Sequence, residues 1–235
     1  MILHKYCDAS GIDILKKLRL KVTPPSYLND PMEWSWHARD SIDMDEWREI
    51  QRHHYFLKSF DADIGLICFS EVPDSTLMWS YYSASHTGLV FGFDTEKLPA
   101  AIQECLVPVS YSRKKVEWDG SDEATDGIQT TKSQEWSHEK EWRAIVTLDR
   151  CKKVTVGIRR QVRHIVPIPA DSIVRVILGS RAPHSLFRKL LWPGLKLNNR
   201  VAFERAVIAP DEYRILIKET LDPRPESIFK RFRDG

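Results

Sequence analysis

WSHEKEWRAIV, residues 136–146, changes character halfway along. Ala144, Ile145 and Val146 form an apolar run suited to a strand entering a core, and before it Glu139, Glu141 and Arg143 recur at every second position. Side chains alternate across a strand, so these three charged groups are expected to share one face. Two residues along a strand span about 6.6 Å, close enough for the carboxylates to sense each other when partly desolvated, with Arg143 holding one of them ionised. Such a face can stabilise a developing positive charge, as on an anomeric carbon becoming oxocarbenium-like. A solvated strand edge with a surface ion pair would carry the same letters.

The rest of the chain bounds the setting. Its 235 residues are 42% hydrophobic and 29% charged, which fits a globular protein and argues against disorder. A formal net charge of +2 is nearly balanced and implies no strong polyelectrolyte binding. Cys7, Cys68, Cys105 and Cys151 are far apart, without a C-x-x-C pair, so a local zinc knuckle or redox motif is excluded. The first residues, MILHKYC, are too short an apolar stretch for a signal peptide, and no run approaches the ~18 apolar residues of a membrane span. A reduced, cytoplasmic protein away from membranes is the expectation.

Outward from the opening stretch, MILHKYC, DIGLICFSE, GLVFGFD, LVPVSYS, VRHIVPIP, IVRVILGS, RVAFERAVI and YRILIKE read as strands. Helices are expected over SGIDILKKLRL with Ser10 as cap, over 41–60, over STLMWSYYSAS from Ser75 or Thr76, over EKLPAAIQE with Thr95 as cap, and over HSLFRKLLW. Asn29-Asp30-Pro31 favours an Asx-type turn. Residues 113–134 are polar and contain glycine, and are expected as a long loop or irregular insertion. Strands outnumber strong helices and do not alternate with them regularly. The expectation is therefore a single α+β domain over 1–235, with short helices on a mixed, mostly antiparallel sheet.

Several stretches bear on chemistry. HEKEW begins like the zinc-protease pattern, but Trp142 stands where the second histidine would be, and no other histidine spacing suits a metal. MWSYYSASHTG gathers Trp79, Tyr82 and His86, which in a helix would form an aromatic platform beside a histidine, suited to nicotinamide or a base; the same aromatics would equally serve a core. NDPME offers Asp30 and Glu33 in a turn, and HKYC places His4 and Lys5 at the head of the first strand. GIRRQVRH and FKRFRDG are basic and could touch phosphates. No G-x-G-x-x-G, Walker lysine loop or G-x-S-x-G elbow occurs.

Taken in order, HKY, LKVTPPSYLNDPME, ICFSE, LMWSYYSASHTGLVFGFD, VSYS and WSHEKEWRAIV resemble a bacterial family known as domain of unknown function 2971, over nearly the whole chain. The order of motifs is also similar, more distantly, to ADP-ribosyltransferase folds, which bind NAD in the cleft of a split sheet. That likeness implies Glu141 as the catalytic carboxylate gripping the nicotinamide ribose, and Glu139 as the accessory acid that orients or deprotonates the acceptor. It implies Ser70 as the central-strand serine and Tyr82 or Trp79 as the stacking partner of nicotinamide. Lys5 or His4 would be the first-strand basic group, with Lys5 favoured. The function so implied is ADP-ribosyl transfer from NAD, as substrate and without a metal, to an unknown protein or nucleic-acid acceptor, or NAD hydrolysis, in a toxin or defence effector. A non-catalytic nucleotide or nucleic-acid binding module, and a protein-interaction component of a stress or defence system, are the alternatives.

Overall fold

The computed structural model describes residues 1–38, 46–158, 160–194 and 201–219. In chain order the elements are β1 (Ile2–Cys7), α1 (Ile12–Lys17), β2 (Arg19–Lys21), β3 (Trp36–Ala38), α2 (Glu46–Phe60), β4 (Ile64–Ser70), α3 (Thr76–Tyr82) and β5 (Leu89–Asp94). Then come α4 (Ala100–Gln103), β6 (Leu106–Pro108), β7 (Ser110–Ser112), β8 (Val116–Trp118), α5 (Asp122–Thr130), β9 (Thr131–Ser133), β10 (Glu141–Thr147) and β11 (Lys152–Val156). The last are β12 (Gln161–Pro167), β13 (Ile173–Leu178), α6 (His184–Gly194), β14 (Ala202–Ile208) and β15 (Ile215–Glu219). The helices are short and the strand pairs mostly antiparallel, as expected for a mixed α+β chain. No helix among the described residues is long and apolar enough to cross a membrane.

The chain divides into two compact units, each assembled from separated segments. The first takes Met1–Leu20, Phe69–Gln103 and the described residues from Pro167 onward; the second takes Lys21–Cys68 and Glu104–Val166.

In the first unit the strands run in the order β15-β14-β13-β5-β1. Only β13 and β14 pair in parallel. The apolar run LVFGFD makes β5 an interior strand covered on both faces, paired residue for residue with β1 from Ile2 opposite Asp94 to Cys7 opposite Leu89. Tyr6, Met78, Trp79, Val90, Ile177, Ala206 and Ile215 form a core cluster on this sheet, with Tyr82 and Ile217 packed against it. Ser75 caps α3 by accepting from the Met78 N–H at 3.4 Å. That helix was expected to continue toward Ser85. It stops at Tyr82, because Ala84, Ser85 and His86 turn left-handed with φ of 47°, 53° and 68°. Glycine is required beside this turn: a Cβ on Gly179 would lie 2.1 Å from the His86 carbonyl oxygen, and one on Gly88 2.1 Å from that of Cys7.

In the second unit β4, β10 and β6 lie side by side, β3 pairs with β8, β7 with β9, and β11 with β12. Its core is aromatic: Trp34, Trp36, Leu66 and Ile128 are buried, with Phe56, Phe60, Val116 and Trp118 packed around them. The stretch 113–134, expected to be irregular, carries β8, α5 and β9. Ser121 caps α5, and Asp122 and Glu123 in its first turn suit the helix dipole. The helix expected over 41–60 is α2; residues 41–45 lie outside the described residues, as does the basic C-terminal stretch. Neither Ser10 nor Thr95 caps a helix: Asp8 caps a 3-10 turn, Ala9–Gly11, by accepting from Ser10 N, and α1 follows without a side-chain cap, while Asp94 caps the 3-10 turn Thr95–Lys97 ahead of α4.

Candidate functional site

The opening stretch does not enter the fold as one continuous strand. Gln134–Glu139 forms a 3-10 turn, Lys140 reverses the chain with φ of 42°, and β10 begins at Glu141. Alternation therefore holds for Glu141 and Arg143 alone. Glu139 arrives from the turn, yet it is buried like the other two.

Two further residues complete the group. Lys132 lies on β9, directly opposite Tyr111 of β7. Its Nζ lies 3.1 Å from Glu33 Oε1, 2.7 Å from Glu139 Oε2 and 3.2 Å from Glu141 Oε2. Glu33 comes from the turn after Asp30-Pro31, where Asp30 Oδ1 accepts from the Met32 N–H at 2.9 Å, the Asx turn expected there. Arg143 donates through Nε to Glu141 Oε1 at 2.8 Å, and its terminal nitrogens reach Glu141 Oε2 at 3.1 Å, Glu33 Oε2 and the Gln129 carbonyl at 3.0 Å. That carbonyl lies in the last turn of α5, whose terminal C=O groups lack helical partners, so the guanidinium also closes the helix.

Every side chain in this network is at most 5% exposed. Charges taken out of water are tolerated only when paired and hydrogen-bonded, and here each carboxylate meets a cation. Glu33, Glu139 and Glu141 against Lys132 and Arg143 leave one net negative charge.

Burial pushes the Glu141 carboxyl up, but the Arg143 charge and hydrogen bonds, Lys132 and the Cys68 thiol outweigh it and bring it down to about 2. Burial lowers Lys132, yet the surrounding carboxylates carry it well above the ordinary lysine range. Tyr111, whose hydroxyl accepts from the Glu141 N–H at 2.7 Å, is pushed up to about 12, chiefly by burial. The Lys132 ammonium also lies 4.8 Å from the centre of the half-buried Trp136 ring.

The other residues that the sequence marked belong to the first unit. His4 and Ser70 stand opposite each other in the β1–β4 pairing. His4 is buried, with Nε2 3.3 Å from an Arg175 nitrogen, and Arg175 in turn grips Glu204 at 2.7 and 2.8 Å. Gly92 is opposite both His4 and Arg175, and a Cβ there would lie 3.0–3.3 Å from the Arg175 side chain, so glycine leaves the room in which that arginine lies. Burial first, then the Arg175 charge, lowers His4 to about 4, so it is neutral at pH 7. Lys5 lies with its ammonium 5.7 Å from the Phe69 ring centre. Ser70 Oγ accepts from the Val72 N–H at 3.1 Å.

Trp79 is a core residue: fully buried, donating to the Pro73 carbonyl at 2.8 Å and edge-on to Tyr6 at 5.4 Å. His86 does not share a helical face with Tyr82. It lies in the left-handed turn, 3.1 Å from Ser80 Oγ and parallel to the Trp79 ring at 6.3 Å. Trp79 thus lies beside His86, and Tyr82 packs on the core cluster that contains Trp79.

Sequence reasoning missed Lys132 and Arg175. Lys132 sits in the polar run TTKSQ with no periodicity to mark it. Arg175 in IVRVIL carried a signal, a lone cation inside an otherwise apolar strand.

Residues 78–144, from Met78 in α3 to Ala144 in β10, match the model of a family described as Protein of unknown function (DUF2971). No curated protein and no solved structure matches the chain. The matched stretch contains Lys132, Glu139, Glu141 and Arg143, four of the five cluster residues; Glu33 lies before it.

Proposed function

We propose that the buried cluster of the second unit serves NAD chemistry, transferring ADP-ribose to an acceptor or to water, with Glu141 as the carboxylate that stabilises the sugar. One observation carries this reading: three carboxylates converge on a single ammonium, Lys132 Nζ, at 2.7–3.2 Å, in a site that keeps a net negative charge. A field that holds one positive charge so closely is suited to an oxocarbenium-like ribose, because preorganised charge in a dry site costs no reorganisation during the reaction. The Lys132 ammonium would withdraw toward Trp136, whose ring it already meets. The bond between the ribose anomeric carbon and nicotinamide breaks with its electron pair going to nicotinamide. The acceptor's oxygen or nitrogen then bonds to that carbon, and its proton passes to Glu139. The ADP-ribosyltransferase-like arrangement suggested by the order of motifs belongs to the same proposal.

Glu141→Gln is the test. It removes one of the three negative charges and leaves Glu33 and Glu139 balanced against Lys132 and Arg143, and circular dichroism checks that the variant is folded before turnover is read. Nicotinamide release from NAD is expected to fall by about 10²–10³-fold, the usual effect of deleting one preorganised electrostatic group. A Gln variant that folds and turns over NAD like the parent chain would show that Glu141 has no part in the chemistry.

A further inference from the structure

The second unit holds a cleft of about 360 Å³, within the range of small-ligand pockets, lined by Lys21, Pro24, Tyr27, Val162, Arg163 and His164 among others. No carboxylate lines it. Tyr27 lines the cleft beside these cations and is 74% exposed, so its ring is open to a ligand. The backbone that carries it is pinned: Asp61 accepts from both the N–H and the hydroxyl of Ser26, fixing the 3-10 turn Pro25–Tyr27.

The positive charge continues past the cleft. Between Asp149 and Asp171 the sequence has no acidic residue and six lysines and arginines, against a chain total of only +2. Arg150 is held by Glu104 at 2.7 Å. Lys152, Lys153, Arg160 and Arg163 are exposed on or beside the β11–β12 hairpin, where Lys152 stands opposite Ile165, two residues from Arg163, so that these two cations share one face. Val162 is 61% exposed on the same hairpin.

We propose that this cleft and hairpin bind single-stranded nucleic acid. Lys21, Arg163 and Lys152 contact successive phosphates, and an unpaired base stacks on Tyr27. A polymer is favoured over a mononucleotide because the cations extend along the hairpin beyond the cleft's own volume. A single strand is favoured over a duplex because the exposed tyrosine face suits an unstacked base. The inference is independent of NAD chemistry, and the two fail separately.

The test is fluorescence anisotropy of a labelled twelve-nucleotide RNA or DNA strand titrated with the full chain. Three phosphate contacts give a log–log salt slope of about −2, so the dissociation constant should rise about 20-fold between 50 and 200 mM KCl. Arg163→Glu should weaken binding at least about 10-fold and flatten that slope. Tyr27→Ala should weaken it at least about 5-fold and leave the slope unchanged. Both side chains are exposed, so the variants should keep the parent's thermal melt. Equal binding by Arg163→Glu, equal competition by AMP, or displacement by polyglutamate as readily as by unlabelled strand would each overturn the proposal.

Discussion

Removing the ammonium from the buried cluster is the most demanding test of how the second unit is held together. In Lys132→Met three carboxylates would face only Arg143, and the net charge of the group would go from −1 to −2 among side chains at most 5% exposed. Breaking one side of a buried ion pair costs about 3–5 kcal/mol. At about 2–4 °C per kcal/mol for a chain of this size, the melting temperature should fall by about 6–20 °C at pH 7.

The pH dependence separates this cause from simple loss of packing. In the parent chain Glu141 titrates at about 2 instead of its ordinary 4.5. Its stabilisation is therefore complete above pH 4.5 and is lost as pH falls toward 2. At about 1.4 kcal/mol per pH unit this amounts to about 3 kcal/mol. In the variant a crowded carboxyl takes up a proton more readily folded than unfolded, so acid relieves it. Urea unfolding followed by tryptophan fluorescence at pH 7, 5.5 and 4 should give two curves that converge, with a gap at pH 4 below half that at pH 7. A deficit under about 1 kcal/mol at pH 7, or one that stays constant down to pH 4, would refute the argument.

The first unit makes its own predictions. His4 is buried and lowered to about 4 from 6.5, so its folded form resists protonation that the unfolded chain accepts; stability should fall as pH drops from 6.5 to 4, and His4→Gln should flatten that part of the urea-midpoint profile. Gly179→Ala would set a Cβ 2.1 Å from the His86 carbonyl oxygen and should cost about 3 kcal/mol or more, read as a lowered denaturation midpoint; a variant as stable as the parent would mean that the left-handed turn at 84–86 is not packed as described.

What the letters reveal depends on the distance over which an interaction is specified. Glu141 and Arg143 were legible because period-two spacing lies within one strand, and Ser75 because a cap acts over three residues. Glu33 was visible only as a turn residue, since its guanidinium partner is 110 positions away. Lys132 was hidden for a different reason: its neighbours TTKSQ are polar, and burial of a lysine there is decided by carboxylates arriving from other elements. Trp79 and His86 show the limit of a helical reading. The spacing 79, 82, 86 suits a helix, but a run of left-handed residues redirects the chain before the last of them.

The interleaving of the segments has a consequence for how the polypeptide can be cut and synthesised. The strands β13 and β14 that complete the first unit's sheet are synthesised only after all of the second unit. Hence β1 and β5 must wait, paired with each other but with β5 bare on one edge, through more than sixty residues of translation. The stretch matched by the family model, 78–144, ends before that edge is covered and takes in parts of both units. Excised alone it would be a mosaic of two incomplete cores, so expression and truncation studies should keep the flanking segments with it.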